Sequence, residues 1–163
     1  MHVYRASRKA RRLFEPLDSS ASVARDGWRF NDRRTQILYC TEVEALAILE
    51  AVARPGWESV DELTVAAIEI PDNAVVDLDA LGIALPSNWN QRPGAKNAQR
   101  IGAEFLAAVD EESKHGRIVC GVRVPSVISS TDCNVLLDPR QKPKYRVIGW
   151  SRIPFNWLRG TAT

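Results

Sequence analysis

Three stretches of this 163-residue chain carry side chains whose types and spacing can do chemistry. The first centres on Glu50. On a helical reading its i−3, i−4 and i−7 neighbours are Ala47, Leu46 and Val43, so a carboxylate lies on or beside an apolar face. A carboxylate turned toward a core or cleft is costly unless paired, and such groups gather at functional sites. The alternative is a stripe-edge residue paired with Arg54 at i+4. Glu42 and Glu44, at the helix start, are favoured by the macrodipole and need no further role.

The second stretch, Gly27-Trp28-Arg29-Phe30-Asn31, sets an arginine between two aromatics. A planar guanidinium can bind a phosphate with two parallel hydrogen bonds, and the rings can wall a flat ligand. A core edge with a snorkelling arginine fits the same residues. The third is Val124-Pro125-Ser126, where proline ends a strand and a hydroxyl follows. With no histidine nearby, an activated serine nucleophile is disfavoured, and plain turn chemistry is the competing reading.

These groups need a scaffold. β-prone segments run approximately over Gln36–Cys40, Leu63–Ile70, Ala74–Leu78, Arg117–Val124, Asn134–Leu137 and Tyr145–Trp150. Two helices separate them. Thr41-Glu42-Val43-Glu44 matches a capping box and predicts a helix from after Thr41 to near Arg54, ahead of Pro55-Gly56. Ala98, Ile101, Gly102, Phe105 and Val109 form one apolar stripe on a second helix, from about Asn97 to Lys114, stopped by Gly116. Leu81 to Gly94, with Pro86, Trp89 and Pro93, reads as an irregular loop. The expected fold is α/β or α+β: a single domain over residues 1–163, with a central mixed sheet flanked by helices.

An apolar fraction of 45% with 26% charged residues excludes disordered and collagen-like classes. No apolar run approaches the ~20 residues of a membrane span, and the charged start MHVYRASRKARR lacks the apolar stretch of a secretory signal; a cytoplasmic location is the expectation. Cys40, Cys120 and Cys133 lack CxxC spacing and read as reduced, buried thiols. With only His2 and His115, a zinc site or Ser-His-Asp triad has no support. GxGxxG and GxxxxGK[ST] are both absent, so any bound nucleotide must be held by side chains. Residues 1–34, 35–120 and 121–163 carry net charges of +5, −8 and +5. Two basic ends that met would form a cationic surface for a phosphorylated ligand, a nucleic acid or an acidic partner. A nucleic-acid-binding or RNA-cleaving module using Arg5–Arg12 and Arg140–Arg152 is therefore the rival reading.

The ordered set GWRFN (27–31), ILYCTEVEALAILE (37–50), LPSNW (85–89), IGAEFL (101–106), VPSVI (124–128) and NVLLDP (134–139) resembles the RES domain, the toxin of Xre/RES toxin–antitoxin pairs. Trp28 stands where many members have a second Gly, Asp138 replaces a frequent Asn, and FNWLRG follows the family's ending only loosely. The resemblance implies an ADP-ribosyltransferase-like fold and an enzyme that consumes NAD as substrate, with no further cofactor and no metal. Cleavage would be phosphorolysis, hydrolysis or ADP-ribosyl transfer to a protein, and a cognate Xre-like helix-turn-helix antitoxin would neutralise it. It implies Arg29, Tyr39, Glu50 and Ser126 as catalytic residues, with Trp28, Arg29, Phe30, Asn31, Tyr39 and Asn134 around the ligand. Nicotinamide is cationic at its glycosidic nitrogen and departs without a general acid, so what the site must supply is geometry and negative charge. On that basis Glu50 would stabilise the ribosyl cation and hold a ribose hydroxyl, as carboxylates do in glycoside chemistry. Arg29 would grip a phosphate, Tyr39 would bound the nicotinamide–ribose end, and Ser126 would orient Glu50 or the ligand. A basic cleft would favour an anionic acceptor.

Overall fold

A computed structural model of the chain describes residues 1–9, 11–24, 26–53, 60–91 and 96–154. The elements are β1 (His2–Ser7), β2 (Leu38–Thr41), α1 (Glu44–Ala53), β3 (Glu62–Glu69), β4 (Val75–Asp77), α2 (Lys96–Lys114), β5 (Gly121–Pro125), β6 (Cys133–Leu137) and β7 (Arg146–Pro154), joined by short 3-10 turns. The strands make one mixed sheet in the order β4-β5-β6-β2-β1-β3-β7. Only β4 and β5 run parallel; the other neighbours are antiparallel. This is the expected α+β architecture, a mixed sheet flanked by helices.

Register decides which side chains share a face, because side chains alternate along a strand. Val124 pairs with Asn134, Asn134 with Thr41, Thr41 with Tyr4 and Tyr4 with Ala67. That row, with Val122, Leu136, Tyr39 and Val65 two positions along and Leu63 four, lies on one face. The stripe of α2 packs there through Ala98, Ile101, Phe105 and Val109 against Val122, Val124 and Leu136. On the same face α1 packs beside β1, β2 and β3, with Val52 against Leu63. Both helices therefore cover one side, and the middle strands lie between them. Val3, Leu38, Cys40, Ile68, Val135 and Leu137 fill the opposite side with Cys120 and Tyr145.

Three expectations change. MHVYRAS, read only as a charged terminus, is strand β1 in the interior of the sheet; Val3 is fully buried, and the basic residues that mask the alternation follow the strand. The capping box does not form: Thr41 ends β2, and its hydroxyl donates to the Val43 carbonyl (2.7 Å) instead of accepting from a helix N–H. Helix α1 then starts at Glu44. The expected end near Arg54, ahead of Pro55-Gly56, lies outside the described residues, as do Pro93-Gly94 and the FNWLRG segment.

The basic ends do meet, since β1 and β7 both flank β3; several of their arginines are paired, while Arg8, Lys9 and Arg12 are exposed. Arg146 pairs with Glu69, Arg152 with Glu62, and Arg140 with Asp138 and Asp110. Arg5 donates to the Pro16 and Asp18 carbonyls (2.6 and 2.7 Å) and lies over Phe14; burial lowers its pKa from the ordinary value. These pairings temper the cationic surface that the nucleic-acid reading needs.

Candidate active site

Glu50 projects from α1 toward the ends of β5 and β6. It is half-buried and accepts two hydrogen bonds on the same oxygen, Oε1: one from Ser126 Oγ and one from Asn134 Nδ2, each 2.8 Å. Ser126 follows Pro125 at the end of β5 and is buried; its Oγ also accepts from the Ile128 N–H at 3.0 Å, so the hydroxyl proton is aimed at the carboxylate. Residues 76 and 84 positions away in sequence therefore converge on one carboxylate oxygen. Arg54, the alternative partner of Glu50, lies outside the described residues.

Arg29 sits on a tight turn. Gly27 has φ +82°, and a Cβ there would meet the Asn31 carbonyl oxygen at 2.3 Å, so only glycine fits. The Trp28 N–H donates to that carbonyl (3.0 Å). From α2, Gln99 Nε2 donates to the carbonyls of Asp26 and Trp28, and the Gly102 N–H to that of Phe30 (2.8 Å). A Cβ on Gly102 would come within 2.5 Å of the Phe30 oxygen, which gives the glycine on the apolar stripe its reason. Held this way, Arg29 donates through Nη1 to the Trp89 carbonyl (2.9 Å), and its guanidinium carbon lies 6.0 Å from the Trp89 ring centroid.

The remaining aromatics and amides of this region support the turn. Tyr39 donates to Asn31 Oδ1 (2.7 Å), accepts from the Phe30 N–H (3.1 Å), and packs its ring on Trp28 at 4.9 Å. Asn31 Nδ2 donates to the carbonyls of Ser22, Asp32 and Thr35. Phe30 and Asn31, expected around the ligand, are 2% and 0% exposed with Asn31 fully engaged. Their side chains hold up the turn. Trp28 reaches the Ala21 carbonyl through its indole N–H.

A cavity of about 440 Å³ lies between Trp89, the partner of Arg29, and Ser126, the partner of Glu50. Trp89 and Asn90 line one side and residues 126–130 the other, so the wall that touches Arg29 faces the segment that touches Glu50. Its lining is indole, amide, hydroxyl and aliphatic, with no cation among the described lining residues. Trp89, stacked on Phe30 at 6.0 Å, is the site residue that sequence reasoning passed over; its one signal was the LPSNW stretch in a segment read as loop. Elsewhere no group of three or more His, Cys, Asp or Glu among the described residues could hold a metal, and no described helix is long and apolar enough to cross a membrane.

The chain is 30% identical over 117 residues to the protein named Toxin Res of Yersinia enterocolitica, covering 71% of this chain and 70% of that one. It is 28% identical over 151 residues to Toxin Res of Photorhabdus laumondii, covering 91% and 88%. The model of the RES domain matches residues 2–157, nearly the whole length, and with it the chain belongs to the RES domain family.

Proposed function

We propose that this protein is a toxin that cleaves the nicotinamide–ribose bond of NAD and is neutralised by a cognate helix-turn-helix antitoxin. The observation that carries the reading is a carboxylate, Glu50, oriented by Ser126 at one wall of a cavity whose opposite wall, Trp89, is gripped by Arg29. The names of its relatives support the toxin half of the reading.

In the proposed reaction the C1′–N bond breaks and its electron pair leaves with nicotinamide, which departs neutral. The ribosyl carbon becomes cationic and is stabilised by the Glu50 carboxylate across the cavity. An acceptor oxygen or nitrogen then donates a lone pair to C1′ and loses a proton to solvent. Arg29 binds the pyrophosphate, and Tyr39 acts by holding the turn that carries Arg29.

The test is direct. Purified protein is incubated with NAD, with and without inorganic phosphate, and products are read by mass spectrometry. Nicotinamide release is expected in both; free ADP-ribose, its 1-phosphate or a modified protein identifies the acceptor. No nicotinamide release by folded protein under any of these conditions refutes the reading. Co-expression with the antitoxin should restore growth that the toxin alone arrests.

A further inference from the structure

Asn134 belongs by sequence to the ligand-binding set, yet its amide is directed at another side chain. We infer that Asn134 is a positioning residue: it holds Oε1 of Glu50 so that Oε2 alone is presented to the ligand. This rests on the NAD-cleaving reading of the site.

The argument starts from the carboxylate's freedom. The terminal torsion of a glutamate is broad and roughly two-fold, so one contact leaves the group able to swing. Here two donors converge on one oxygen. Asn134 Nδ2 and Ser126 Oγ each lie 2.8 Å from Oε1, which occupies both of its lone pairs. No hydrogen bond reaches Oε2 among the described residues. The two donors come from different segments, Ser126 just past β5 and Asn134 within β6, so rotating the carboxylate would break both bonds.

Asn134 is itself held rigidly. It pairs with Thr41 on one side and Val124 on the other, in three adjacent strands of the sheet. Among the described residues the side-chain amide of Asn134 hydrogen-bonds to Glu50, so its influence on a ligand runs through that carboxylate.

A double-mutant cycle tests this. Asn134→Ala should lower kcat for NAD cleavage about tenfold, the loss of one charge-assisted hydrogen bond, with KM within about twofold of wild type. In the Glu50→Ala background, where the accepting oxygen is gone, the same substitution should cost nothing further. A raised KM at unchanged kcat would make Asn134 a ligand contact, and an undiminished loss in the Glu50→Ala background would make its role structural; either overturns the inference. A readout independent of turnover is the Asn134 side-chain amide in a ¹⁵N–¹H spectrum, which should shift when Glu50 is replaced by Ala. An unmoved signal overturns the inference by itself. A shifted signal in a folded wild-type protein that cleaves no NAD overturns instead the NAD reading on which the inference rests.

Discussion

Glu50→Gln separates charge from shape at the centre of the site. Glutamine keeps a carbonyl oxygen where Oε1 accepts from Ser126 and Asn134, so the contacts between α1, β5 and β6 survive. What disappears is one negative charge. Glu50 is half-buried, which places its surroundings between water and a dry interior. A unit charge about 4 Å from a ribosyl cation, at an effective dielectric near 20, is worth about 4 kcal/mol, or roughly a thousandfold in rate. If water filled the cavity at reaction, the same geometry would give only about 1 kcal/mol, around fivefold. The assay is nicotinamide release at saturating NAD, with circular dichroism and a thermal melt to show that the fold is intact. A loss near a thousandfold with unchanged melting supports a charge acting in an enclosed site. A loss below tenfold, in a variant that melts like wild type, refutes a charge acting in an enclosed site.

Tyr39→Phe removes the donor to Asn31 Oδ1 and the acceptor of the Phe30 N–H. Leaving the buried Asn31 oxygen unpaired should cost about 1–3 kcal/mol, read as a melting drop of several degrees, and should raise KM for NAD through the Arg29 turn. An unchanged KM would detach the turn from ligand capture. Trp89→Phe should abolish the NAD-induced quenching of tryptophan fluorescence while preserving the fold; quenching that persists would place the ligand away from this wall. Burial pushes the Cys40 thiol from 9.0 up to about 12. The unfolded chain then releases that proton before the native one, so stability that is intact below about pH 9 is lost as pH rises toward about 12. Cys40→Ala should flatten this alkaline limb in denaturation measurements, leaving the share of Tyr145, whose phenol is also raised by burial; an identical limb would refute the assignment.

How much of this was legible depends on the range of each interaction. Ala98, Ile101, Gly102, Phe105 and Val109 announced the buried stripe of α2 because a 3.6-residue period is written locally. Glu50 stood out because its own helical neighbours are apolar. Strand β1 was hidden because charge following the strand outweighed a short alternation, and the Thr41 capping box failed because β2 pairing claimed that residue first. The engagement of Asn31 was hidden too: its partners Ser22 and Thr35 are met only through the fold of the turn.

Neighbour-to-neighbour chemistry was therefore enough to decide that this chain builds strands alternating with two helices, and that residue 50 is an acid in an apolar setting. Which groups that acid meets was decided only by the assembled sheet. The order β5-β6-β2 brings Ser126 and Asn134 beside α1, and the seating of α2 on Phe30 aims Arg29 at Trp89. Contacts across 60 to 84 residues leave no periodic trace in the chain, because they arise from strand pairing and helix packing that satisfy the whole core at once.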